Sequence, residues 1–182
     1  MRTNTGRITA AVVAAAAALA APPPLPTQEP TAPPRPKPCV SAEHRQFDFW
    51  VGSWDVVTPD GKPAGTNEVR SILGGCALQE NWVGVRGVTG TSLNAWDAAR
   101  GLWHQTWIDN GGFVLYLDGG FAGGRMVLSS AKKVAGGADV VNRVTWERID
   151  GSADRVRQLW ESSLDGGKTW KVAFDGTYVR RK

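Results

Sequence analysis

The chain is poor in the residues that most often carry chemistry. It has two histidines, His44 and His104, and two cysteines, Cys39 and Cys76. So few imidazoles and thiols leave no ligand set for a metal cluster, and His44 alone offers no second ligand for haem. No phosphate-cradling glycine loop and no Ser/Cys–His arrangement stands out. No cofactor is therefore expected. Charge is balanced as well: from Cys39 onward 17 Lys and Arg stand against 16 Asp and Glu, with no basic stripe, which argues against nucleic acid as a partner. Only one long uncharged run occurs, the alanine-rich Ile8–Ala21. It is shorter than the ~20 residues a spanning helix needs, so no membrane span is expected once it is removed.

That run is preceded by Arg2 and Arg7 and contains Ala18-Leu19-Ala20, small residues suited to a signal peptidase. Residues 1–20 thus read as an export signal cleaved after Ala20. Nine of the eleven prolines follow by Pro38, so residues 21–38 read as an extended spacer that cannot form a core. Apart from Gly6, all 22 glycines fall at Gly52 or beyond. The composition changes at Cys39, and residues 39–182 are long enough for one packed domain. In an exported chain Cys39 and Cys76 are expected to form a disulfide, worth up to about 4 kcal/mol by loop entropy; two free thiols are the alternative.

What the chain has in abundance is tryptophan, nine residues between Trp50 and Trp170. Ser41 is placed to cap a short helix running to about Trp50, with Phe47, Trp50 and Val51 on one face. After Gly52 the pattern turns to period two. Strand-like segments follow at Trp54–Thr58, Thr66–Leu73, Ala77–Arg86, Thr91–Asp97, Leu102–Asp109, Phe113–Leu117, Arg125–Ser130, Ala138–Ile149, Arg155–Ser163 and Thr169–Arg180. Glycine-rich turns separate them, including Asp118-Gly119-Gly120, and Asp175-Gly176 offers a possible interruption of the last. The expected fold is all-β: about ten antiparallel strands in an up-and-down, calycin-like barrel, closed because closure removes exposed edges, with the short N-terminal helix at its mouth.

Strand parity assigns the faces. Leu78, Glu80 and Trp82 share one; so do Ser92, Asn94 and Trp96; Trp103, Gln105 and Trp107; Asn142, Val144 and Trp146; Val156, Gln158 and Trp160; and Trp170, Val172 and Phe174. The opposite faces carry charges that can pair across strands in water. The indole faces therefore point inward, beside Glu80, Asn94, Gln105, Asn142 and Gln158. Polar groups among large rings suit a cavity holding water or a ligand; a filled core in which they satisfy one another is the other reading. In the first case Trp82, Trp96, Trp103, Trp107, Trp146 and Trp160 would supply apolar surface, and Glu80, Asn94, Gln105 and Gln158 would orient a small hydrophobic or aromatic molecule.

Glu80 is the one acidic residue expected mid-strand on that face, and burial there would raise its pKa. It is the sole candidate for acid–base catalysis, such as isomerisation or hydrolysis, although a structural role in bonding Arg or Trp N–H groups is the simpler assignment. A module of the cell envelope meeting a protein partner through its outer face is a third possibility. His104 has outward parity. Ser163-Leu164-Asp165-Gly166-Gly167-Lys168-Thr169-Trp170 matches the Asp-box pattern of sialidase-like propellers, but a single copy reads as a hairpin device whose Asp and Gly shape the turn.

Four ordered blocks carry a resemblance: His44–Val56, with Phe49-Trp50-Val51-Gly52-Ser53-Trp54; Ile72–Cys76; Trp103-His104-Gln105-Thr106-Trp107; and Asp165–Trp170 followed by Phe174–Tyr178. Together they resemble a family of often exported bacterial proteins catalogued as domain of unknown function fifteen-seventy-nine. The resemblance spans nearly the whole domain and implies a calycin-like barrel. The Phe-Trp-x-Gly-x-Trp block is also similar to the Gly-x-Trp opening of lipocalins and nitrobindins. Nitrobindins bind haem through a late histidine, and this chain has none after His104.

Overall fold

Ten strands follow one another along the chain, each hydrogen-bonded to the next in antiparallel register. They are β1 Gly52–Val57, β2 Pro63–Ile72, β3 Ala77–Gly84, β4 Thr89–Asp97, β5 Leu102–Asp109, β6 Val114–Ala122, β7 Arg125–Lys132, β8 Val140–Arg148, β9 Arg155–Ser163 and β10 Lys171–Arg180. β1 pairs with both β2 and β10, which closes the barrel. The computed structural model describes residues 38–132 and 140–182, all within the unit Pro36–Lys182. The export signal expected over residues 1–20 and the spacer expected up to residue 38, Pro38 apart, lie outside the described residues. No helix among the described residues is long and apolar enough to cross a membrane.

The period-two pattern is the cause of this architecture. Inward positions are mainly apolar, aromatic or amide, with Glu80 and Ser92 among them; outward positions include charged residues that meet across strands. Arg143 stands opposite Glu161 and donates to it at 2.8 Å. Arg157 reaches Asp175 on the neighbouring strand at 2.8 Å.

Three local expectations are corrected. The Asp118-Gly119-Gly120 triplet is not a turn but part of β6, and the chain reverses at Gly123-Gly124, both at positive φ as a two-residue hairpin turn requires. Gly119 serves close approach instead: a Cβ there would strike the backbone of Val127 and Leu128 on β7. In β10 the register against β9 shifts between Val172 and Phe174. The extra residue, Ala173, flips the faces. Val172 and Trp170 therefore lie outside, Val172 opposite Glu161 and Trp170 beneath the Arg143 guanidinium at 4.0 Å, while Phe174 stays inside opposite Trp160.

The third correction concerns the N-terminal segment. It forms two 3₁₀ turns, Glu43–Arg45 and Asp48–Trp50, without a side-chain cap from Ser41. The tighter helix brings residues three apart into line, so Phe47 and Trp50 stack with centroids 5.0 Å apart. Both rings enter the barrel at the end where β1 begins and β10 finishes, and plug it. Phe47 meets Trp103 and Trp146 edge-on, at 5.7 and 5.2 Å. Leu117, Met126 and Leu128 are buried with them. The Trp103 indole donates to Gln46 Oε1 at 3.1 Å, and Trp54 donates to the Trp50 carbonyl at 2.9 Å. The Cys39–Cys76 disulfide fastens the start of the plug to the β2–β3 connection, and the Arg45 guanidinium donates to the Gly75 carbonyl beside it.

Candidate functional site

At the other end none of the described residues plugs the barrel. A cavity of about 440 Å³ lies among the β1–β2, β3–β4 and β5–β6 ends, within the range of small-molecule sites. Six of the sequence-expected residues line it: Glu80, Trp82, Gln105, Trp107, Gln158 and Trp160. The other four stand elsewhere. Trp103 and Trp146 are locked in the plugged half, Trp96 packs beside them opposite Trp103, and Asn94 is fully buried and does not line the space. Asp109 lies at the rim, where its Oδ1 accepts the Gly111 and Phe113 amides at 2.8 and 3.0 Å. Phe174 and Tyr178 complete the aromatic lining.

The rings leave room because glycines stand behind them. A Cβ on Gly65 would come within 2.7 Å of the Trp82 ring, one on Gly90 within 2.5 Å of Trp107 Cη2, and one on Gly176 within 2.6 Å of Phe174 Cζ. With hydrogen in place of Cβ, each ring can lie close against the wall instead of filling the interior. Two mouth connections are braced together: Asn110 Nδ2 donates to the Gly87 carbonyl at 2.9 Å, and the Thr89 amide donates to Asn110 Oδ1 at 3.1 Å.

The floor is a polar belt running across six strands. Gln105 Nε2 donates to Asn94 Oδ1 at 2.7 Å, Asn94 Nδ2 to Ser92 Oγ at 2.9 Å, and Ser92 Oγ to Glu80 Oε2 at 2.7 Å. From the other side Asn67 Nδ2 donates to Glu80 Oε1 at 2.7 Å and reaches Tyr178 Oη at 3.4 Å; the Tyr178 hydroxyl donates to Gln158 Oε1. Tyr178 also touches the Trp50 and Trp54 rings, so it stands between plug and cavity. Trp160 is steadied separately, donating to Asn142 Oδ1 at 2.9 Å.

Burial pushes the Glu80 carboxyl up to about 7, against the pull of Ser92 and Asn67, which favour its charged form. Burial, and then the neighbouring Glu80 charge, hold the Tyr178 hydroxyl well above its usual range. Asn67 and Tyr178 were missed as members of the site. The alternation Asn67, Val69 could have revealed the first. The spacing Phe174, Gly176, Tyr178 could have revealed the second.

The remaining motifs are structural. His104 faces outward, in hydrogen-bond contact with Asp118 at 2.7 Å and Thr106 at 2.9 Å. In the Asp-box segment Asp165 accepts the Lys168 and Thr169 amides at 3.0 and 2.9 Å and the Thr169 hydroxyl at 2.6 Å, while Ser163 Oγ accepts the Gly167 amide at 2.8 Å. These bonds hold the Asp165 carboxyl well below its usual range and build the β9–β10 hairpin. No group of His, Cys, Asp and Glu among the described residues is arranged to hold a metal ion. No protein-family model matches the chain, and no curated protein matches it significantly.

Proposed function

We propose that the protein is an exported barrel that binds a small hydrophobic or aromatic molecule in its open half. One observation carries the reading: a single space of about 440 Å³ combines aromatic walls with one hydrogen-bonded polar floor. Apolar walls supply affinity and a few fixed polar groups supply orientation. The disulfide is in keeping with export into an oxidising compartment. Membership of the exported family named above, and of the calycin-like barrels, is proposed on the sequence blocks together with the closed ten-strand topology.

Titration with N-phenyl-1-naphthylamine tests it. Saturable binding of one probe per chain is expected, weakened at least tenfold by Trp160→Ala and unaffected by the outward Tyr116→Ala. Absence of saturable binding, or equal loss in both variants, defeats it. A second reading, acid–base chemistry, is favoured by one feature, the carboxyl at the cavity floor held near neutrality. Turnover of an identified substrate that survives Glu80→Gln undiminished rules that out.

A further inference from the structure

The hydrogen bonds of the belt have a direction. Ser92 Oγ accepts from Asn94 at 2.9 Å and from Gln105 at 3.4 Å, which occupies its lone pairs and leaves its single proton for Glu80. Asn67 donates to the other carboxylate oxygen. Donors thus converge on Glu80 from both sides, and each oxygen is used as an acceptor. A proton on either oxygen would have to take the lone pair that Ser92 or Asn67 does not use. The hydrogen bonds of the belt favour the carboxylate anion, and that carboxyl lines the cavity.

A buried anion calls for a counter-charge. Among the described residues none supplies it: Glu80 forms no ion pair, and Ser92 and Asn67 are the only groups that stabilise its charged form. Arg86, which also lines the space, is exposed at the mouth. Around the same space stand aromatic rings, whose faces attract cations. We infer that the cavity is built for an organic cation, an amine or quaternary ammonium head seated against Glu80 with an apolar or aromatic body along Trp107 and Trp160. This rests on the small-molecule-binding reading and narrows it to a ligand class. A neutral ligand would leave the carboxylate unpaired, and an anion would be repelled by it.

Three probes of one shape separate the possibilities: 4-phenylbutylamine, 4-phenylbutanol and 4-phenylbutyrate, titrated calorimetrically into the full chain at about pH 8. The amine is expected to bind at least tenfold tighter than the alcohol, and the carboxylate most weakly. Glu80→Gln is expected to bring amine and alcohol within about twofold while both still bind. If that variant does not fold, the wild type decides through its pH profile: amine affinity falls below pH 7, by up to about a hundredfold at pH 5, as the ionised fraction shrinks, while alcohol affinity does not fall. Equal binding of all three probes, or amine affinity independent of pH, overturns the cation assignment and leaves the binding reading standing. Binding of none of the three overturns both.

Discussion

The two halves of this barrel are lined by the same kinds of side chain and behave differently. In the plugged half Phe47, Trp50, Trp103 and Trp146 interlock, with centroids 5.0–5.7 Å apart where they meet. In the open half Trp82, Trp107 and Phe174 lie back against glycines and face a void. An inward indole is therefore neither core nor ligand surface by nature. What stands across from it decides. The segment 47–50 fills one end, and no described segment fills the other.

The largest effect is expected at the plug. Phe47→Ala removes the ring that touches Trp50, Trp103 and Trp146, and should cost about 3–5 kcal/mol. Denaturant titration reads that loss. Cavity affinity, measured on the folded fraction, should stay within about twofold. A parallel collapse of binding would mean that the two halves are not separate.

The next effect belongs to the floor. Folding raises the Glu80 carboxyl from its ordinary 4.5 to about 7, so between those values the folded chain binds more protons than the unfolded one. Stability is therefore highest below pH 4.5 as far as this group is concerned. It falls as pH rises and levels off above about 7, a difference of about 3 kcal/mol. Denaturation midpoints of wild type and Glu80→Gln, compared from pH 4.5 to 8, should converge at the acid end and diverge at neutrality. Parallel curves would show that Glu80 is not the buried titrating group.

The smallest effect sharpens the role of the glycines. Gly176→Ala meets side-chain atoms only, those of Phe174 and Val56. It should push the Phe174 ring into the void at a cost of about 1–3 kcal/mol and lower probe affinity several-fold. The opposite outcome, lost stability with unchanged affinity, would place Phe174 with the packed half.

Much of this was legible from the chain alone. Alternation gave ten strands, with β5 and β9 delimited to the residue, and it put Glu80, Gln105, Gln158 and the charged rows on their observed faces. It failed where a residue's role is set by a distant partner. Gly119 looks like a turn residue until β7 is laid beside it. Val172 looks inward until the Ala173 bulge shifts the register. Asn67 and Tyr178 join the belt through contacts 13 to 111 residues away in sequence.

By itself the sequence determined inside and outside wherever a strand runs without a bulge, because side-chain direction there follows a strict local period of two. It also determined which cysteines were available to each other, since there are only two. Tertiary structure alone decided which indoles face empty space and which are packed. That depends on the barrel end into which Phe47 and Trp50 fold, and no local period encodes the docking of one segment against strands fifty to a hundred residues away.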